Sequence, residues 1–247
     1  DDADSERSLF WWAFNTSKRG IELDLETAEG QGIFRRLVKD ADMVLESFRP
    51  GTMLDLGLGY FTLQETNPGI IVVSISPFGQ TGPYKGYKAP GIVAWAMGGQ
   101  MYSCGAADRP PLGMSHHSQA YLQASVEAAV GALMALQHRH VTGEGQQVDV
   151  SIQSCLAQAT QLLTSTWDMM KIIKRRGRPL LPTVWPCKDG HVYYPWWRGL
   201  SAALNDSFLQ WMDDVGKGDE FLRDFDWGGA WITMTAEEAG RIEQATR

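Results

Sequence analysis

Residues 76–101 read SPFGQTGPYKGYKAPGIVAWAMGGQM, and the way this stretch has to be built decides the fold. It continues an apolar run, Ile70 to Ile75, whose length and branched side chains predict a buried strand. Gly79, Gly82 and Pro83 then impose a turn region, and Lys85 and Lys88 ride on the loop that follows. Pro90 stands where the first turn of a helix accepts proline, and IVAWAMGG continues as an apolar helix closed by Gly98 and Gly99. Strand, glycine loop, basic residue and helix start form an anion-receptive arrangement, because backbone N–H groups and the helix dipole favour negative charge there. Many α/β proteins carry such a turn for structural reasons alone. The stretch therefore specifies an α/β fold before it specifies a ligand.

Working outward toward the N-terminus, the pattern repeats. Asn67-Pro68-Gly69 breaks a short helix predicted over 61–65, and Leu54 to Tyr60 is a tight glycine-bearing connection. Asp42 to Glu46 predicts another strand, followed by a turn at Ser47-Phe48-Arg49-Pro50-Gly51. Thr27 is the N-cap of a helix whose apolar positions Ile33, Phe34, Leu37 and Val38 share a face; Gly30 three residues on excludes a capping box. Gly20 to Leu25 alternates and predicts a short strand, and Phe10, Trp11, Trp12 and Phe14 are expected to pack beneath an acidic loop.

Toward the C-terminus, Arg109 and two prolines direct an extended path into SHHSQAY. A long helix over 122–140 is predicted to bury Val126, Val130, Leu133 and Leu136. Gln147 to Ile152 predicts a strand, Ser154 to Lys174 one further helix, and KRRGRPLLP a solvated linker. A hairpin is expected about Lys188-Asp189-Gly190, then a helix over 200–215 bearing Phe208, Trp211 and Met212. The alternation of strands and helices predicts a Rossmann-like parallel sheet with covering helices over residues 1–175. A linker at 176–183 and the start of a smaller α+β domain at 184–247 complete the expected layout.

Composition narrows the function. The 247 residues are 44% hydrophobic and 21% charged, as in a soluble globular protein. A net charge of -7 excludes nucleic acid as the expected partner, since phosphate neutralisation needs clustered Lys and Arg. It leaves room for a small anion held by a local basic patch. Cys104, Cys155 and Cys187 stand at long spacings that form neither a metal motif nor a disulfide framework, so the cytoplasm is the expected compartment. No apolar run has membrane-spanning length, and DDADSE is the opposite of a signal peptide.

FGQTGPY, followed about a dozen residues later by a helix ending in MGG, resembles the family III CoA-transferases, the group of formyl-CoA transferase, carnitine CoA-transferase and α-methylacyl-CoA racemase. Three further blocks match in order: NTSKRGIELDLETAEGQ (15–31), DADMVLESFRPGTMLDLGLGY (40–60) and HRHVTGEGQQVDVSIQ (138–153). The hairpin sequence CKDG resembles the beginning of that family's second domain. The resemblance implies that the chain is a fragment, with a strand–helix unit before it and more of the small domain after it. The glycine run that closes over the thioester in such proteins has only Trp196 to Gly199 and Gly228-Gly229 as candidates here.

The resemblance also implies ligands. No permanent cofactor is expected; coenzyme A and its acyl thioesters are expected as substrates. The turn carrying Phe48 and Arg49 is expected against the CoA nucleotide, at the carboxyl end of a strand where α/β sheets bind ligands. Arg49 alternatively only braces that turn. Lys88 falls on a lysine that contacts CoA in formyl-CoA transferase, and a flexible ammonium suits a phosphate; its alternative is a solvated loop lysine.

Transferases of this family work through an aspartate that attacks the acyl thioester and forms a mixed anhydride. Counting from Gly98-Gly99 puts that position at Ala120, and counting from Val130-Gly131 puts it at Tyr121. Neither side chain forms an anhydride, and no Asp or Glu occurs between Asp108 and Glu127. Pro90-Gly91 stands where the racemases carry a His-Asp pair, so racemisation is not expected. Neither Glu127, inside the helix, nor Asp149, in a strand, replaces the nucleophile. The catalytic residue is thus unknown, with His116, His117 and Tyr121 as the remaining candidates. The QAY start of the long helix is similar to the non-nucleophilic subunit of the heteromeric benzylsuccinate-type members. The expectation is a CoA-transferase subunit in an interlocked homo- or hetero-oligomer, its aspartate supplied by a partner chain. A non-catalytic CoA-thioester-binding subunit and an acyl-CoA lyase or hydrolase of altered mechanism are the alternatives. Ten tryptophans fit an aromatic acid substrate and core packing equally well.

Overall fold

The computed structural model describes residues 8–106, 108–113, 119–171, 173, 176, 181–230 and 234–246. Three strands, β1 (Met43–Glu46), β2 (Ile71–Ser76) and β3 (Gln147–Ser151), form a parallel sheet in the order β1-β2-β3. The register pairs Val44 with Val72 and Val73 with Val148. β2 lies between the other two and is buried over almost its whole length. Its alternate side chains serve two different cores, as the pleat requires. Ile71 and Val73 pack into one with Ala94, Trp95, Val150, Ile152 and Leu156. Val72 packs into the other with Val38, Met53, Leu58, Leu63 and Ile70.

Of the helices beside the second core, those starting at Ala28 and Tyr60 arise as the sequence predicts. α1 (Leu9–Asn15) precedes α2 (Ala28–Val38), whose N-cap Thr27 accepts a hydrogen bond from the Gly30 N–H. α3 (Thr52–Asp55) starts at Gly51, which holds the left-handed φ of 95° that the turn after Pro50 demands. α4 (Tyr60–Thr66) ends at Asn67, whose side-chain amide donates to the carbonyls of Val38 and Ala41. α5 (Gly91–Met97) is capped by Pro90 and stops at Gly98, with Gly99 in the left-handed region. A Cβ on Gly98 would collide with Leu156, so glycine is needed there for packing as well.

α6 (Gln100–Ser103) leads toward α7 (Gln119–Thr142), which packs on β2 and β3. The face it buries differs from expectation. Val126, Val130 and Leu133 are exposed; the buried stripe is Ala120, Ala124, Ala128, Ala132 and Ala135. The physical reason is proximity. A Cβ on Gly131 would stand 2.9 Å from the Val148 methyl, so the helix lies too close to the sheet for branched side chains between them. At its far end Arg139 donates to the Gly69 and Asp42 carbonyls and pairs with the Asp42 carboxylate at 2.6 Å. One guanidinium thereby ties α7 to the amino ends of β1 and β2.

Further expectations change. Residues 20–25 form no strand: Ile21 is exposed, and among the described residues no strand pairs with the segment, so its backbone has no ladder to join. Phe10, Trp11, Trp12 and Phe14 lie on α1, capped by Ser8, and all are exposed rather than packed beneath a loop. The helix expected over 154–174 is two, α8 (Ile152–Ala159) and α9 (Gln161–Met170). They part at Thr160, whose hydroxyl donates back to the Ala157 carbonyl. Half of the linker expected at 176–183, residues 177–180, lies outside the described residues.

The chain divides into two compact units, residues 1–102 with 112–174 and residues 103–111 with 175–247. The second contains an antiparallel hairpin of β4 (Val184–Cys187) and β5 (Gly190–Tyr193). Its turn has two residues, Lys188 and Asp189, and Gly190 already pairs with Cys187. The helix expected over 200–215 opens as a 3-10 helix (Gly199–Asn205) and becomes α10 (Asp206–Asp214). α11 (Glu220–Asp224) and α12 (Ala236–Thr246) follow. This unit packs around Trp196 and Trp227, stacked at 4.5 Å with planes 7° apart. The fully buried Asn205 accepts from the Trp197 N–H and donates to its carbonyl, so no polar atom of its amide pays for burial.

Candidate functional site

The carboxyl ends of the parallel strands open on two cavities within the first unit. The turn after β1 supplies residues to both. The larger, about 440 Å³, is lined by Ser47, Ile75, Pro77, Ala89, Tyr121 and Ser125, with Ala124 and Ile152 behind them. Each of β1, β2 and β3 delivers a residue to it at or just beyond its last position, and α7 closes it with its first two turns. Such crevices beyond the carboxyl ends are where α/β sheets bind ligands.

Of the two positions considered for a nucleophile, only one reaches this space. Ala120 is 1% exposed and belongs to the core, whereas Tyr121 is 46% exposed and lines the cavity. Ser125 stands one turn further along the helix and donates to the Tyr121 carbonyl at 2.7 Å. The described lining carries three hydroxyl groups, from Ser47, Tyr121 and Ser125, and no carboxylate. His116 and His117 lie outside the described residues. Glu127 accepts from the Gln123 amide, and its charge faces Cys155. Burial first, and that charge second, push the Cys155 thiol above its ordinary value, which keeps it from acting as a thiolate nucleophile.

The second cavity, about 300 Å³, is lined by other residues of the β1 turn, Arg49 to Gly51. Its apolar wall includes Met53, Leu54, Leu58 and Phe61, and its polar groups include Glu46, Arg49, Gln80, Lys85 and Gln147. Arg49 is thus brought to a cavity. Phe48 is exposed beside it, its N–H donating to the Glu46 carboxylate at 2.8 Å. Lys88 is exposed on the loop before α5 and lines neither of these two cavities; Lys85 takes the place at the wall. Tyr60 lines the same space and donates to the Gly145 carbonyl, and burial followed by the Glu144 charge raises its pKa.

Two buried polar atoms at this end have no hydrogen-bond partner, the Ser76 hydroxyl and the Gln80 amide nitrogen. Sequence reasoning missed Gln80, Lys85 and Ser125 as site residues. The one available signal was position. Gln80 and Lys85 sit in the glycine loop already read as anion-receptive, and Ser125 is four residues beyond Tyr121, on the same helix face. Among the described residues no group of three or more His, Cys, Asp or Glu is placed to hold a metal, and no helix is long and apolar enough to cross a membrane.

A parallel sheet ending in two such cavities, reached by SFRPG and FGQTGPY, defines a class. Residues 2–220 match the family model of CoA-transferase family III, and the chain belongs to that family. Succinyl-CoA–D-citramalate CoA-transferase of Chloroflexus aurantiacus is 40% identical over 218 residues, covering 85% of this chain and 52% of that protein. The BbsE subunit of succinyl-CoA:(R)-benzylsuccinate CoA-transferase from Thauera aromatica is 34% identical over 235 residues, covering 94% and 57%. Among solved structures, a CaiB/BaiF family protein from Brucella suis superposes with a TM-score of 0.72 at 27% identity, covering 93% of this chain and 59% of that one. The chain spans little more than half the length of these relatives.

Proposed function

We propose that this chain is part of a CoA-transferase subunit that moves CoA between an acyl-CoA thioester and a carboxylic acid, with the nucleophilic aspartate supplied by a partner chain. One observation carries the proposal: the carboxyl-end cavity is walled by Tyr121 and two serines, where the reaction needs a carboxylate. A phenol or serine hydroxyl takes up an acyl group only as an ester and cannot form the mixed anhydride, but it can sit beside one formed by a carboxylate reaching in from another chain. Relatives named as subunits support the reading: BbsE, and the alpha and beta subunits of succinyl-CoA–L-malate CoA-transferase from Chloroflexus aurantiacus. So does the outer face of α7, where Val126, Val130, Leu133, Met134 and Val141 are all exposed and suit a protein partner.

In this reading the thioester end of the substrate occupies the larger cavity and the CoA nucleotide lies against the β1 turn. Phe48 offers an exposed ring, Arg49 and Lys85 offer cationic groups at the smaller cavity, and Lys88 reaches a phosphate from the loop. The substrate domain layout follows the same reading, with residues 1–175 as the large domain, 176–183 as the linker and 184–247 beginning the small one. Free Cys104, Cys155 and Cys187 support a reducing cytoplasm.

The test is acyl exchange between succinyl-CoA and a panel of carboxylic acids, using the full-length protein alone and mixed with the product of its neighbouring gene. Exchange in the mixture only is the expected result. Exchange at full rate by the protein alone overturns the shared-site reading. If the protein alone instead hydrolyses or cleaves the acyl-CoA, and that activity disappears in Tyr121→Phe, an altered lyase or hydrolase chemistry replaces it.

A further inference from the structure

We infer that Asp149 is a positioning residue for the smaller cavity: its carboxylate fixes the Gly79–Lys85 segment so that the Gln80 amide and the Lys85 ammonium face a bound anion. The inference rests on the proposal that CoA binds here. Asp149 lies on β3, directly opposite Ser74 of β2. Both of its oxygens accept from the Gln80 main-chain N–H, at 3.1 and 2.9 Å. A bond from a neutral donor to an ionised acceptor is stronger than one between neutral groups. It grips the loop four residues beyond the end of β2.

The neighbouring glycine shows how close that grip is. Gly79 holds a left-handed φ of 85°, and a Cβ there would stand 3.3 Å from the Asp149 carboxylate. Backbone conformation and carboxylate therefore specify one another. With its main chain held, Gln80 lies in the cavity wall with its amide nitrogen buried and without an acceptor. A buried donor without a partner is costly, and a ligand oxygen arriving at that point removes the cost. Lys85, five residues on, and Arg49, from the β1 turn, line the same space. The one carboxylate in that wall, Glu46, already accepts from the Phe48 N–H. An uncommitted amide donor and two cations beside a cavity of about 300 Å³ suit a phosphate-bearing ligand. Asp149 touches none of these groups' tips and acts only through the loop.

The experiment is CoA binding by calorimetry on the full-length protein together with its partner chain. It compares wild type with Asp149→Asn, Gly79→Ala, Lys85→Ala and the double variant Asp149→Asn with Lys85→Ala. Asp149→Asn is expected to raise Kd about tenfold. Gly79→Ala, which leaves the carboxylate in place but disfavours the loop's backbone, is expected to do the same. Adding Asp149→Asn to Lys85→Ala is expected to raise Kd by clearly less than the tenfold seen in the wild-type background, because the part of its effect that runs through Lys85 is already gone and only the Gln80 part remains. Hydrogen exchange over residues 78–90 should quicken in Asp149→Asn while β2 stays protected. Unchanged Kd in both Asp149→Asn and Gly79→Ala, or unchanged exchange over 78–90, overturns the inference and leaves the CoA reading intact. Absence of CoA binding by wild type overturns the CoA reading itself. If Asp149→Asn does not fold, Gly79→Ala alone decides.

Discussion

The two units solve the packing problem by opposite means. In the first, a helix is pressed onto a sheet through alanine and glycine: Ala120, Ala124, Ala128, Ala132 and Ala135 face β2 and β3, and Gly131 meets Val148. In the second, the interior is filled by large rings, with Trp196 stacked on Trp227 and Tyr194 stacked on Phe208 at 4.1 Å. The first core depends on close backbone approach and tolerates no added volume. The second depends on bulk and tolerates no loss of it. The site lies on the first, where short distances between rigid elements keep strand ends and the start of α7 in fixed relation.

The contrast is sharpest under substitution. Trp227→Ala removes half of a stacked pair and the indole bond to the Leu222 carbonyl, and should cost about 3–5 kcal/mol. A urea midpoint nearly equal to wild type would break the comparison. Ala128→Leu adds volume where α7 meets the sheet and should cost about 1–3 kcal/mol. The same substitution in a loosely packed interface would be neutral or stabilising, so its sign tests the close approach directly. Thr235→Ala removes one side of a reciprocal cap, in which the Glu238 N–H donates to Thr235 and the Glu238 carboxylate accepts from the Thr235 N–H. The loss should be about 1 kcal/mol, read as a lower unfolding temperature.

The smallest effect is confined to alkaline solution. Burial pushes the Tyr194 phenol up to about 12 from its ordinary value near 10. The unfolded chain loses this proton first, so between those values the native state binds more protons and stability falls as pH rises. The contribution is complete below about pH 10 and is lost on the way to 12. Tyr194→Phe should flatten that decline while changing little at neutral pH, as followed by thermal unfolding across the alkaline range.

Much of the fold was legible because the deciding residues have few uses. The Ile70–Ile75 run could only be a buried strand, and Pro90, Gly98 and Gly99 bounded α5 as their backbone preferences require. α7 was misread for a reason of balance. Its sequence is apolar on several faces, and Val126, Val130 and Leu133 outweigh alanine on any hydrophobicity scale, yet volume selected the alanines. The alternation of 20–25 was a correct local pattern without a neighbouring strand to pair with. At the site, the SFRPG turn and its Arg49 were readable, since a turn after a strand fixes its own position. Which of Lys85 and Lys88 reaches the cavity, and that Gln80 ends unpaired in its wall, depends on how one loop lies over β3. That information is distributed over residues far apart in the chain.

The sheet has a consequence for synthesis. Val73 finds its partner Val148 only after α7 has been made, about 75 residues later. At roughly 5–20 residues per second, β2 spends on the order of 4–15 s beside the ribosome with one apolar edge unpaired. During that interval its buried sequence IVVSIS is open to any extended neighbour. Arg139, which joins α7 to the Gly69 and Asp42 carbonyls, emerges just before β3 and can hold the helix in place to receive it. The order of emergence thus makes the guanidinium a fastening that is set immediately before the last strand arrives.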